Sequence, residues 1–108
     1  MSSAKPFDSV EQAWLWTMAA LRARRAGTPS PSVIVRPCEP DDVIRCLDQL
    51  YRRRRIDMAH GRALRVWGDK QMPPPDRHPD KLLWDAGMQA LAPLLAAKGI
   101  TNGDTPDA

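Results

Sequence analysis

The chemistry in this sequence is concentrated in arginine. Arg52, Arg53, Arg54 and Arg55 are consecutive. Arg45 precedes them, and His60, Arg62 and Arg65 follow. A guanidinium is a planar fork that holds a phosphate, or the edge of a guanine, through two hydrogen bonds at once. A chain that clusters such groups locally has the means to bind a polyanion. The charge is local here. Residues 43–70 carry eight basic and three acidic side chains, 1–42 are balanced, and 71–108 carry a small acidic excess. Two short helices around the Arg run would have the spacing of a helix-turn-helix, whose second helix enters a DNA major groove. In that arrangement Arg45 and Arg52–Arg55 would meet phosphates, and His60, Arg62 and Arg65 would meet base edges or backbone. The turn contains no glycine, a departure from the usual motif. The competing reading is an ordinary helical hairpin with a solvated charged face.

Other constellations are weaker. Cys38, Cys46, His60 and His78 are the residue types that bind zinc, but no close pair sits on a tight loop. A small buried thiol is the plainer account of Cys46, and no metal or other cofactor is expected. Catalysis has no support. There is no phosphate-cradling glycine loop, no nucleophile elbow and no acidic pair beside a histidine, so the sequence reads as a non-enzyme. Asp41 and Asp42 are explained by the positive start of a helix. Trp14, Trp67 and Trp84 fall on apolar helix faces and belong in a core. Trp16 lies on a different face from Trp14. It is either a partner anchor, as exposed tryptophans are at interfaces, or a cover for the following linker.

These residues need elements to position them. At 108 residues the chain is one domain in size and can bury a core without staples. Leu, Ile, Val and Phe are few, but four Trp and five Met add apolar bulk, and the net charge is only +3. Eleven Pro argue against long sheets or one long bundle. The periodicity predicts four helices. The first runs over about 9–26, capped by Asp8 or Ser9 and closed by Gly27. The second runs over about 40–53, with Val43, Ile44, Leu47, Leu50 and Tyr51 inward. The third runs over about 58–67, capped by Asp57, with Ile56, Ala59, Ala63, Leu64 and Trp67 inward and Gly68 ending it. The fourth starts near 79–80 and kinks or restarts at Pro93, and Lys98-Gly99-Ile100 closes it. Residues 28–40 form a Pro-rich extended linker in which Val33-Ile34-Val35 lies on the core. Residues 101–108 read as a loose tail after a single domain over 1–100. Two cysteines make no disulfide framework. The longest apolar run, Ala13–Leu21, is too short for a membrane span, and its charged flanks are in the wrong order for a signal peptide. A cytoplasmic protein with reduced thiols and no membrane role follows.

Longer patterns extend over about residues 7–100. They are Phe7-Asp8-Ser9-Val10-Glu11, Arg36-Pro37-Cys38-Glu39-Pro40-Asp41-Asp42, Leu50-Tyr51-Arg52-Arg53-Arg54-Arg55-Ile56-Asp57 and Leu64-Arg65-Val66-Trp67-Gly68, then Leu83-Trp84 with Met88, and Lys98-Gly99-Ile100. In these the chain resembles a family of short, functionally uncharacterised bacterial proteins. The resemblance implies a bacterial cytoplasmic protein and carries no activity with it. Residues 50–68 also look like helix-turn-helix segments of phage-type transcription regulators, which carries over no binding residue.

The expectation is therefore an all-α bundle of four main helices with a helix-turn-helix-like hairpin at about 41–68. Its function is expected to be that of a transcriptional regulator binding double-stranded DNA through the basic patch. The alternative is a protein–protein interaction module or accessory subunit, with the Arg run on an acidic partner and Trp16 as anchor. The oligomeric state is not legible.

Overall fold

The computed structural model describes residues 4–29 and 36–102. These fold as four helices: α1 (Val10–Ala26), α2 (Pro40–Arg52), α3 (Met58–Asp69) and α4 (Asp80–Ala97). There is no strand among the described residues, only a single parallel bridge between Phe7 and Thr101. The fold is all-α, as the periodicity implies. Val33-Ile34-Val35, with residues 30–32 of the linker before it, lie outside the described residues.

Local chemistry sets the helix starts. The Ser9 hydroxyl accepts from the Gln12 amide, and Gln12 Oε1 accepts from the Asp8 amide. Asp42, in the first turn of α2, reaches back to accept from the Glu39 amide just before Pro40 opens the helix. Asp57 Oδ1 accepts from the Ala59 and His60 amides to open α3. At α4 a histidine does this work, with His78 Nδ1 accepting from the Asp80 amide at 3.0 Å. Each helix supplies free N–H groups at its start that some side chain must satisfy.

The helix ends share one device. A residue with positive φ follows the last turn, and two successive amides reach back to the final carbonyls. Gly27 (φ 72) and Gly99 (φ 73) do this for α1 and α4. Arg54 (φ 59) and Gln71 (φ 59) do it for α2 and α3, although a Cβ disfavours that conformation.

Several boundaries differ from the sequence reading. Gly68 does not end α3. It is buried inside the helix, where an added Cβ would lie 2.6 Å from Met18 Cγ and 2.9 Å from Trp14 Nε1. Its missing side chain lets α3 approach α1, which local propensity does not reveal. Pro93 does not divide α4, which continues to Ala97. Pro93 and Gln89, whose carbonyl loses its helical donor, both lie on the exposed face of the helix, so the missing bond falls outside the core. Tyr51 and Ala59, placed inward by periodicity, are exposed. Thr101, placed in the tail, is buried, and the Asn102 amide donates to the Phe7 carbonyl at 3.2 Å.

Packing decides the architecture. α1 and α4 each contact all the other helices, whereas α2 and α3 barely meet. α2 and α3 therefore flank the α1/α4 pair from opposite sides. Trp14, Trp84, Leu64, Leu91 and Leu95 fill the centre and are almost completely buried. Three tryptophans keep their N–H groups bonded, Trp14 to the Leu64 carbonyl, Trp84 to Glu11 and Trp67 to Asp80, whereas Trp16 Nε1 is buried without a partner among the described residues. A polar group buried without a partner would cost stability.

Candidate nucleic-acid interface

The arginines singled out in the sequence are all on the surface. Arg45, Arg52–Arg55, Arg62 and Arg65 are exposed, and His60 is half-buried. Their neighbours differ sharply.

On α2 the outer face reads Asp41, Asp42, Arg45, Asp48, Arg52, with acids interleaved among the arginines. Arg45 pairs with Asp42 at 3.3 Å and Arg52 with Asp48 at 2.9 Å, while Asp41 pairs with Arg24 of α1 at 3.1 Å. These are exposed pairs of small energetic value. They do cancel most of the field that a phosphate would meet along this helix.

Beyond α2 the acid runs out. Arg53, Arg54 and Arg55 occupy the turn, and none has a carboxylate within 4 Å among the described residues. With its amide oxygen turned toward the guanidinium, Gln49 accepts from Arg53 at 3.1 and 3.2 Å. The turn's shape comes from the backbone. The Arg54 amide donates to Tyr51 and the Arg55 amide to Leu50, with buried Ile56 anchoring the exit. Arg54 takes the left-handed position that a glycine ordinarily fills, which explains a tight turn without glycine.

On α3, Arg62 and Arg65 sit three apart on the outer face and likewise lack a carboxylate partner among the described residues. Between them and the turn lies the Asp57–His60 cap. His60 Nδ1 is 3.0 Å from Asp57 Oδ1 and 3.1 Å from the Asp57 amide nitrogen. Hydrogen bonds from the His60 amide and ring hold the Asp57 carboxyl below its ordinary range. His60 is thereby tied up as a capping residue, a role its sequence neighbours did not suggest.

The expected helix-turn-helix-like hairpin finds no packed pair. The two helices are joined by a tight turn but hardly touch, whereas a recognition helix is braced on the helix before it. The structure brings the turn arginines together with the start of α3. It does not bring Arg45 onto that surface, because Arg45 lies about 10 Å back along α2 from Arg52, on the other flank of the bundle from Arg62 and Arg65. The signal missed in the sequence was the acid on α2: Asp42 at i−3 from Arg45 and Asp48 at i−4 from Arg52. Met58, 75% exposed, and Val66 also belong to the α3 surface.

Trp16 is not a free anchor. Its ring packs on Phe7 with centroids 5.1 Å apart, and Arg36 lies over the opposite ring partner, 4.2 Å from the Phe7 centroid. The indole thus helps hold the N-terminal segment and the end of the linker.

The cysteine and histidine set does not converge. Cys46 is fully buried in α2, and Cys38 is half-buried before it. Burial, with Asp42 and Glu39 nearby, pushes the Cys38 thiol up to about 11, and burial also raises Cys46. Both thiols are therefore poor nucleophiles. His78 stacks edge-on against Trp67 at 4.8 Å while capping α4. No three His, Cys, Asp or Glu side chains come together as a metal cage among the described residues. An open groove of about 290 Å³ lies between the end of α1 and the start of α2, lined by Arg24, Thr28 and Glu39 among others, and neither histidine reaches it.

No helix among the described residues is long and apolar enough to cross a membrane. Comparison with protein-family models, with curated proteins and with solved structures finds no match.

Proposed function

We propose that the chain is a DNA-binding protein of the bacterial cytoplasm, acting as a transcriptional regulator, that grips the phosphate backbone of a duplex. The grip is the turn Arg53–Arg55 together with Arg62 and Arg65 of α3. The observation that carries this reading is that these five guanidiniums are exposed within thirteen residues and lack a carboxylate partner among the described residues. A guanidinium already paired must give up a carboxylate before it takes a phosphate, whereas a free one gains its charge-assisted bonds outright. The cap and turn fix the backbone that carries these groups, so binding orders side chains and not the chain itself.

The reading is one of backbone grip rather than base recognition through a braced helix. The test is fluorescence anisotropy on a labelled mixed-sequence duplex. At about 50 mM salt binding is expected, and four to five phosphate contacts give a log–log salt slope of roughly −3.6 to −4.5. Arg62→Ala with Arg65→Ala should weaken binding and flatten that slope. Absence of binding at low salt would overturn the reading and leave an acidic protein surface as the partner for the same patch.

A further inference from the structure

We infer that the outer face of α4 is the seat of a second copy of this chain, paired antiparallel across a twofold axis. The inference does not depend on the nucleic-acid reading. The other three helices expose charges to solvent: Arg22 and Arg25 on α1, the interleaved acids and arginines of α2, and Arg62 and Arg65 on α3. Residues 86–97 of α4 contain no charged side chain at all. Its exposed positions are Leu82, Ala86, Gln89, Pro93 and Ala97, one stripe at helical spacing, with Leu82 80% exposed. The stripe is about 22 Å long at the helical rise, and it is uncharged throughout.

The two ends of the stripe identify the occupant. The N-terminal flank is net acidic: Asp76, 95% exposed, and Asp85, about half exposed, share Lys81, while exposed Arg77 and half-buried Asp80 offset each other. The C-terminal flank carries Lys98, exposed and without a carboxylate within 4 Å among the described residues. A surface that is neutral in the middle, acidic at one end and basic at the other is complementary to itself when reversed. An antiparallel pair sets Lys98 of each copy by the acidic flank of the other and opposes the two helix dipoles. Gln89 lies midway between Leu82 and Ala97, so it falls beside the axis and meets its own copy. One helix face per protomer is at the low end of interface size, which places the dissociation constant at about micromolar or weaker.

Sedimentation velocity of the full chain without nucleic acid, from about 5 to 500 µM, tests this. A monomer–dimer equilibrium is expected. Gln89→Lys, which sets two like charges at the axis, should weaken it about tenfold or more while leaving the circular dichroism spectrum unchanged. Gln89→Cys should cross-link to a covalent dimer under mild oxidation, and Leu82→Cys, which faces the far end of the partner helix, should not. A wild-type chain that stays monomeric throughout overturns the proposal. So does a dimer indifferent to Gln89→Lys, or equal cross-linking at both cysteine positions.

Discussion

The outer faces of α2 and α3 both present exposed arginines and differ in what they can offer a ligand. Both carry arginines along an exposed helix. On α2 each arginine has an aspartate three or four positions earlier on the same face, and the pairs close at 3.3 and 2.9 Å. On α3 the cap residue Asp57 is the nearest acid in sequence before Arg62, and its hydrogen bonds go to Ala59 and His60. The difference teaches that the number of cations on a surface is a poor guide to its affinity for a polyanion. The placement of anions on the same helix decides how much of that charge remains available.

The comparison can be broken or sharpened by substitution. The largest effect is expected from the face of α3 that nobody outside the protein sees. Gly68→Ala forces a methyl against Met18 and the hydrogen-bonded Trp14 indole. It should destabilise the fold by about 1–3 kcal/mol in thermal or denaturant unfolding, loosening α3 from α1. On the outer surfaces, Arg62→Ala with Arg65→Ala should lower duplex affinity by about tenfold at low salt, and Arg45→Ala by less than about twofold. Equal losses would erase the distinction between the two helices. The reverse experiment unmasks α2: Asp42→Asn with Asp48→Asn should raise affinity, because Arg45 and Arg52 are released.

Arg54→Gly separates conformation from charge at the corner between the helices. Relief of the left-handed backbone should stabilise the protein by about 0.5–1 kcal/mol, while loss of one phosphate contact reduces the salt slope by about 0.9. The smallest effect is one of pH. The Asp57 carboxyl titrates lower in the folded chain than in the unfolded one. Its contribution is therefore complete above the ordinary carboxylate range and lost as pH falls through its lowered folded value. The melting temperature should drop across that acid window, and Asp57→Asn should remove part of the drop.

Much of the scaffold was legible before any coordinates. Ser9 and Asp57 mark helix starts by the amides they accept from, Pro40 by its fixed φ and missing N–H, and Gly27 and Gly99 mark ends through the conformation only glycine takes easily. Tertiary contacts hid the rest. Gly68 reads as a terminator until α1 is seen against it. Tyr51 fits the apolar stripe of α2 and still emerges to solvent, because no helix covers that edge. Trp16 reads either as a partner anchor or as a cover for the linker until its ring is found on Phe7, which Arg36 covers in turn.

The functional surface divides the same way. Spacing and side-chain type determine, from the sequence alone, that four helices form, that they are amphipathic and that arginine gathers in the middle of the chain, because these are properties of neighbours within a few residues. The packing of α2 and α3 on opposite flanks of α1 and α4 is different. It depends on how side chains far apart in sequence fill one core, and that filling decided which arginines share a surface and which helix face was left without charge.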